Sequence, residues 1–176
     1  MAALHLPRIE DLDVDDLAAL PKGYGYELHE GSLVITPPST FWHKEMARRL
    51  LNMLSAAGLE AFPYTGILGD RPRDSRCPDI GVVISLPANP TTVSHLPGSA
   101  YRLVVEIVEK SARGEYTDKA RWYAERGVPE YWIVDGTPEY RDDEAAVLIF
   151  RLNGRPEYVR ERTVLLSELE AEYAAR

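Results

Sequence analysis

Two acidic side chains stand inside segments whose apolar composition is typical of buried strands. Glu106 interrupts the β-branched run RLVVEIVE, and strand alternation places it on one face with Val104 and Val108. Asp79 follows Pro78 at the start of a second apolar segment, DIGVVIS. An isolated carboxylate is costly to bury, so each must be paired, bound to a metal or placed at a cleft. Carboxylates at the ends of neighbouring strands would form the oxygen-ligand site that Mg²⁺ prefers.

A cationic group comes from the segment that follows. Glu115, Lys119 and Tyr123 are spaced by four residues, so on a helix they share one face. A short loop separates this helix from Glu106, and the helix can therefore fold back and bring the Lys119 ammonium to the carboxylates. Two acids that hold a metal, with a lysine that orients water or steadies a phosphate, suit phosphodiester hydrolysis. The alternatives are a turn cap at Asp79, an arginine partner for Glu106 and a solvated Glu115–Lys119 pair.

Other catalytic chemistries have less support in the sequence. One cysteine and four scattered histidines do not indicate a zinc site. No GxSxG motif is present, and Cys77 has no obvious paired histidine, so a serine or cysteine nucleophile is not expected. A metal-dependent hydrolase of a small phosphorylated substrate remains an alternative, although the sequence has no GxxxxGK phosphate loop.

The elements that must position these groups alternate between helix and strand periodicity. This pattern predicts a mixed α/β (α+β) domain with a central sheet and helices on its faces. The predicted order is a short amphipathic helix over residues 8–20, a hairpin over 26–36 that turns at Gly31-Ser32, a helix over 41–57, strands over 59–64, 79–85 and 101–109, a helix over 115–126, strands over 130–135, 146–152 and 157–161, and a last helix from residue 165.

Length and charge narrow the class of protein. A chain of 176 residues predicts one domain over residues 1–176 that buries its own core. The formal net charge of −8 argues against coating of nucleic acid by bulk attraction. No signal peptide and no apolar run near the ~20 residues of a membrane span are visible, which predicts a cytoplasmic protein without a membrane partner.

Four ordered motifs resemble one known family. The runs PDIGVV, VVEIVEKS and EYTDKARWYAERGVPEYWIVD, together with the upstream stretch YELHEGSLVITPPSTFWH, are similar to the Uma-two family of endonucleases, in the restriction-endonuclease-like PD-(D/E)XK superfamily. The resemblance covers about residues 20–152. It implies a restriction-endonuclease-like core, in which a central mixed β-sheet is flanked by helices and the active site lies at one end of the central strands.

The resemblance also implies roles for individual residues. Asp79 matches the aspartate of the PD motif, and Glu106 matches the central strand glutamate. In this family the catalytic lysine is displaced to the following helix, which points to Lys119. Glu27, in the YEL strand, is a candidate for a further acidic metal ligand. His43 matches the helix histidine of the family, and its role is open.

One departure from the family pattern leaves an alternative for the lysine. EKS replaces the usual Ser-Pro-Ser turn at residues 109–111, while Val108 stands where the wider superfamily has the lysine of its E-x-K motif. Lys110 is therefore a rival to Lys119, since alternation places it on the face of Glu106. Glu115 stands where the family commonly has aspartate. The altered turn also favours an alternative function, a catalytically inactive nuclease-fold module for DNA or protein binding.

The implied activity is Mg²⁺- or Mn²⁺-dependent hydrolysis of nucleic acid, with double-stranded DNA as the expected substrate and a homodimer as the expected assembly. Contact with DNA requires cations near the site. The predicted DNA contacts are Arg71, Arg73 and Arg76 in the loop before Asp79, with Arg48, Arg49 and Arg113 as further candidates. Several of the aromatic residues Trp122, Tyr123, Tyr131 and Trp132 are predicted to pack together, and most of them are predicted to be core residues.

Overall fold

Eleven strands and three α-helices organise the described part of the computed structural model, which comprises residues 8–108, 113–136 and 143–176. The helices are α1 (Phe41–Ala56), α2 (Arg113–Glu125) and α3 (Leu166–Ala174). The strands are β1 (Gly25–His29), β2 (Ser32–Thr36), β3 (Glu60–Pro63), β4 (Gly66–Leu68), β5 (Ser75–Arg76), β6 (Ile80–Val83), β7 (His95–Pro97), β8 (Tyr101–Val108), β9 (Glu130–Asp135), β10 (Ala146–Leu152) and β11 (Tyr158–Leu165).

The larger sheet is mixed and has six strands in the order β11-β10-β9-β8-β6-β3. Strands β8 and β9 run parallel and are joined through α2, whereas the other neighbours are antiparallel. This arrangement confirms the predicted fold, a central mixed sheet flanked by helices. A second sheet was not predicted. It has the order β2-β1-β5-β4-β7, and it brings β1 close to the segment before β6.

Strand β8 carries apolar side chains on both faces of the larger sheet. Helices cover both faces and remove these side chains from water. Leu103, Val105 and Ile107 pack with α1 and α3, while Tyr101 and Val104 pack under α2. Alternation therefore turns Glu106 toward α2, as predicted. Tyr131 joins Trp122 and Tyr123 in the predicted aromatic cluster, but Trp132 lies on the opposite face with Tyr173. Three of the four residues thus pack together, as predicted for several of them, while Trp132 lies apart because adjacent strand residues point to opposite faces.

Helix α1 begins at a defined cap. Thr40 has extended backbone, and its Oγ1 accepts a hydrogen bond from the His43 N–H at 3.3 Å. This satisfies one of the free N–H groups of the first turn. Gly58, just past the other end, has a φ of +76°, the left-handed conformation that favours glycine. The predicted helix over residues 41–57 is thus confirmed to within one residue.

The predicted helix over residues 8–20 was wrong. Two short 3₁₀ helices, Ile9–Asp11 and Asp15–Ala19, replace it. The N–H of Asp13 donates to the side chain of Asp16, and the N–H of Asp15 donates to the side chain of Asp13. Such local side-chain bonds compete with an α-helix.

Three short strands were not among the predicted elements: β4, β5 and β7. Each has only two or three residues, too few for alternation to be visible. The β1–β2 hairpin is confirmed, although its turn lies one residue earlier than predicted. Glu30 and Gly31 both have positive φ, 49° and 93°, as a type I′ turn requires.

None of the helices in the described ranges is long and apolar enough to cross a lipid bilayer.

Candidate active site

Asp79 and Glu106 come together because β6 and β8 are antiparallel neighbours. Ile80, the first residue of β6, pairs with Val105, so Asp79 and Glu106 stand at the same end of the two strands. The Asp79 Oδ2 accepts a hydrogen bond from the backbone N–H of Ile107 at 2.7 Å. The carboxylate of Asp79 is therefore fixed to the residue that follows Glu106.

His43 holds the other oxygen of Asp79. Its Nε2 lies 3.0 Å from Asp79 Oδ1, and the imidazole is buried in the first turn of α1. With one oxygen on the Ile107 N–H and the other on His43, the orientation of Asp79 is fixed from two sides. The structure thus gives the histidine whose role was open a positioning function.

Helix α2 supplies two groups to Glu106. The Lys119 Nζ lies 3.2 Å from Glu106 Oε1, and the Tyr123 hydroxyl donates to the same oxygen at 2.7 Å. Lys119 and Tyr123 are one helical turn apart on the face predicted from their spacing. Both of these donors contact Oε1, so within the described residues Oε2 keeps its lone pairs for a further ligand. Tyr123 was predicted only as a core aromatic, and its four-residue spacing from Lys119 was the signal for this second role.

Glu27 reaches the site from the smaller sheet. Its Oε1 accepts hydrogen bonds from Lys119 Nζ and from the Cys77 N–H, both at 3.0 Å. Its Oε2 lies 2.6 Å from His29 Nε2. Both oxygens of this buried carboxylate are therefore engaged by protein groups. The geometry makes Glu27 a fixed counterion for Lys119.

Burial and charge act differently on the two glutamates. The pKa of Glu106 is raised to about 7: burial is the main cause, the nearby charges of Asp79 and Glu27 act in the same direction, and Lys119 and Tyr123 oppose them. Burial alone would raise the pKa of Glu27 as well, but His29, Lys119 and the Cys77 N–H lower it to about 2. The site therefore contains one carboxylate, Glu27, that is firmly ionised and one, Glu106, that keeps its proton to a higher pH than an ordinary glutamate.

The Lys119 amine and the Cys77 thiol are both held in their protonated forms. Burial lowers the pKa of Lys119, but Glu106 and Glu27 outweigh burial and raise it above its usual range. Lys119 is thus a permanent cation and not a proton acceptor. Burial, with the carboxylates nearby, raises the pKa of Cys77 to about 12, so its thiol is not a nucleophile.

Replacement of Glu106 by glutamine should change how stability depends on pH in the absence of divalent metal. Because the folded state raises this pKa from 4.5 to about 7, wild type loses stability as pH rises through that window. Glu106→Gln lacks the titrating group. As the pH rises from 4.5 to 7, the free energy of unfolding of Glu106→Gln should therefore increase by about 3 kcal/mol relative to that of wild type. Urea unfolding across this range, with a chelator present, measures the difference, and parallel curves for the two proteins would contradict it.

The oxygen donors at the site suit a hard divalent cation. Asp79 and Glu106 are adjacent carboxylates, and Mg²⁺ is commonly bound by one or two carboxylates together with water and substrate phosphate. Within residues 8–108, 113–136 and 143–176, no three side chains of the His, Cys, Asp and Glu types are arranged to hold a metal. Both oxygens of Asp79 and both oxygens of Glu27 contact protein groups, so a cation held by the predicted ligands Asp79, Glu106 and Glu27 would share these oxygens with their present partners.

Arg76 lies inside the protein. It donates to the Leu28 carbonyl at 2.8 Å and to Asp74 Oδ1 at 2.9 Å, and its guanidinium lies 4.8 Å from the centroid of the Trp122 ring. Through burial and these contacts, Arg76 stabilises the segment that leads to Asp79. Its guanidinium is not presented to a substrate.

Arg73 has a similar internal role, while Arg71 is exposed. Arg73 donates to the carbonyl of Gly31 at 2.6 Å and contacts the carbonyls of Ile9 and Glu10. These contacts attach the loop before Asp79 to the β1–β2 turn and to the N-terminal segment. Of the three predicted DNA contacts, Arg71 is exposed, Arg73 is half-buried and Arg76 is buried.

The other predicted residues fall into two groups. Arg48 is exposed and bonded to Glu45, and Arg49 is bonded to Glu170, so neither approaches Asp79 through these contacts. The remaining candidates, which are Lys110 and the side chains of Arg113 and Glu115, lie outside the described residues.

Comparisons with known proteins agree with this fold. The family model Uma2, described as "Putative restriction endonuclease", matches residues 13–174. A solved structure, that of a protein titled as a putative nuclease belonging to DUF820 from Anabaena variabilis ATCC 29413, superposes with a TM-score of 0.62. It is 17% identical in sequence, and the alignment covers 88% of this chain and 83% of that chain. No curated protein sequence matches the chain significantly. The family match spans nearly all of the chain, which therefore belongs to the Uma2 family, described as putative restriction endonucleases.

Proposed function

We propose that the protein is a metal-dependent endonuclease that hydrolyses phosphodiester bonds in DNA. One observation carries the proposal: Lys119, whose side chain is only 12% exposed, lies between two buried glutamates at the strand end where Asp79 also stands. Family membership supports nuclease chemistry at this site. Within that chemistry, an ammonium beside two acidic oxygen donors suits stabilisation of a phosphoryl transition state.

Each residue has a distinct task in this proposal. Asp79 and Glu106 would hold Mg²⁺ or Mn²⁺, which when bound polarises the scissile phosphate and acidifies water. Lys119 stays protonated, so it orients the attacking water and offsets the negative charge that develops on the phosphate oxygens. Glu27 fixes the position of the Lys119 ammonium. In the same way, Tyr123 fixes Glu106 and His43 fixes Asp79, so the reacting groups need little rearrangement.

The charge of the protein supports a requirement for divalent metal. With a formal net charge of −8 and carboxylates at the site, the metal-free protein repels a phosphate backbone. We expect weak, salt-sensitive DNA binding, with exposed Arg71 as a contact beside Asp79. One site per chain cuts one strand at a time, so we propose that a homodimer performs cleavage of both strands.

Plasmid cleavage tests this function. Supercoiled DNA incubated with the purified protein should become nicked and then linear in Mg²⁺ or Mn²⁺, and should remain intact in a chelator. Cleavage that persists in the chelator would contradict a metal requirement. Intact DNA in both metals, over a range of ionic strengths, would contradict nuclease activity.

Divalent metal should also raise the melting temperature. At about 100 times its dissociation constant, a ligand that binds only the folded state stabilises it by about 2.7 kcal/mol, or about 5–10 °C for a domain of this size. Differential scanning fluorimetry with Mg²⁺ and Mn²⁺ measures the shift, and Asp79→Asn should lack it. A protein whose melting temperature does not respond to either metal would instead fit the inactive binding module.

A further inference from the structure

Two exposed aromatic residues adjoin the contacts of Asp79, one through its backbone and one through the helix turn that carries His43. Phe41, the first residue of α1, is 87% exposed, and Tyr64 is 57% exposed. The other aromatic side chains whose burial is described are buried or half-buried, except Tyr24, which is 53% exposed. A ring left in water contributes little to folding, because burial is the main source of its stabilising effect. Both rings are therefore available to contact another molecule.

Phe41 combines with a cation at the edge of the site. It lies two residues before His43, whose Nε2 is 3.0 Å from Asp79 Oδ1. The Nζ of exposed Lys44 is 5.1 Å from the centroid of the Phe41 ring. An aromatic face and an ammonium are thus side by side within one helical turn of the group that holds Asp79.

Tyr64 is held on the backbone of Asp79 itself. Its N–H donates to the Asp79 carbonyl at 3.1 Å. Its φ of 53° is left-handed, a conformation that non-glycine residues seldom adopt and that costs free energy. The surrounding structure therefore keeps Tyr64 next to Asp79 in spite of this cost.

We propose that Phe41 and Tyr64 stack on nucleobases of the substrate while Lys44 contacts its phosphates. Aromatic rings beside cations are the means by which proteins bind single-stranded nucleic acid without sequence preference. In an intact duplex the faces of the bases are covered by their neighbours, so stacking requires an unpaired stretch. The preferred substrate is therefore DNA with unpaired bases at the cleavage point, either a free single strand or a single-stranded region within a duplex. This inference rests on the proposed function and narrows its substrate class.

Stacking also explains how a protein with net negative charge could bind DNA, which is itself negatively charged. A chain with a formal net charge of −8 gains little from general attraction to phosphate. Contact with the base faces supplies affinity that does not depend on net charge. It acts on every base, because every base has an aromatic face.

Binding to labelled oligonucleotides tests the inference. In chelator at low salt, where no cleavage occurs, the wild-type protein should bind oligothymidylate about ten-fold or more tightly than an abasic strand of equal length or a blunt duplex. A duplex that carries an internal unpaired stretch should bind like the free strand. Phe41→Ala and Tyr64→Asn should each weaken oligothymidylate binding by about ten-fold and leave abasic binding unchanged. Asparagine is chosen at residue 64 because it tolerates positive φ.

Two further variants serve as controls. Ile84→Ala removes another exposed apolar side chain at the opposite end of β6, about 16 Å along the strand from Asp79, and should not alter binding. Phe41→Trp retains a ring and should keep the affinity. Because both aromatic residues are exposed, the melting temperatures of all variants should remain within about 2 °C of wild type.

The outcomes separate this inference from the proposed function. Equal affinity of the wild-type protein for thymidylate and abasic strands, or unchanged affinity in Phe41→Ala/Tyr64→Asn, would overturn stacking even if plasmid cleavage is observed. Conversely, base-dependent binding by a protein that cleaves no DNA in Mg²⁺ or Mn²⁺ would support the stacking surface and contradict nuclease activity.

Discussion

Replacement of Lys119 by methionine should lower the free energy of unfolding by about 3–5 kcal/mol and reduce DNA cleavage by at least about 100-fold. The ammonium is the common partner of Glu27 and Glu106, so its loss leaves buried carboxylates without their cation. The cleavage defect follows because a preorganised charge at a phosphoryl transition state contributes about 10²–10³ in rate. Urea unfolding and initial rates of plasmid nicking measure the two effects.

A second variant separates folding from catalysis at this position. Glu27→Gln/Lys119→Met removes the most firmly ionised carboxylate together with its partner, so stability should recover toward wild type while cleavage remains lost. Arg121→Met is the matched control, since Arg121 lies on the same helix, is 71% exposed and pairs only loosely with Asp118 at 3.6 Å. Cleavage by Lys119→Met within about three-fold of wild type would contradict the assignment and transfer the role to Lys110.

Replacement of Asp79 by asparagine should reduce cleavage by about 1,000-fold or more with little change in fold. Loss of a metal-bound carboxylate removes several kcal/mol of transition-state stabilisation, and each 1.36 kcal/mol is a factor of ten in rate. Asparagine has the same shape and retains one oxygen to accept from Ile107 or His43, so unfolding should change far less than in Lys119→Met. Nicking rates in Mg²⁺, with circular dichroism to verify the fold, measure these effects.

Asp70→Asn provides the control for that experiment. Asp70 stands nine positions earlier in the loop that leads to Asp79, and its side chain is 86% exposed with a single surface partner, Arg126, at 3.3 Å. It should retain wild-type activity. If Asp79→Asn and Asp70→Asn nick DNA at equal rates, Asp79 is not part of the active site.

The positions of Glu106 and Lys119 relative to each other could be located from local sequence patterns. In a strand, the side chain of Glu106 in RLVVEIVE must point to one of the two faces of the sheet. Alternation places it on the face covered by the following helix. Lys119 and Tyr123 are one turn apart on that helix, so either could reach Glu106. These inferences need only the periods of a strand and a helix, which the residues themselves display.

The contacts of Glu27 and His43 depend on pairings that local patterns do not reveal. Glu27 reaches Lys119 because β1 pairs with β5, a strand of two residues inside the turn-rich segment DRPRDSR. The same segment shows why the arginine predictions were incomplete. Alternating Arg and Asp residues look alike whether they face solvent or, like Arg76 and Asp74, are bonded to each other inside the protein.

The Glu27–Lys119 contact determines when, during synthesis, the site can first form. The two residues are 92 positions apart, and the Glu27–Cys77 bond spans a further 50-residue loop. Closing such loops costs conformational entropy, and this cost is offset only when the contacts between the loop ends have formed. A nascent chain that has not yet emerged from the ribosome through α2 has its acidic groups but lacks the ammonium that organises them. Arrested or truncated translation products that stop before this helix therefore cannot assemble the centre, and any nuclease activity is confined to chains that include α2.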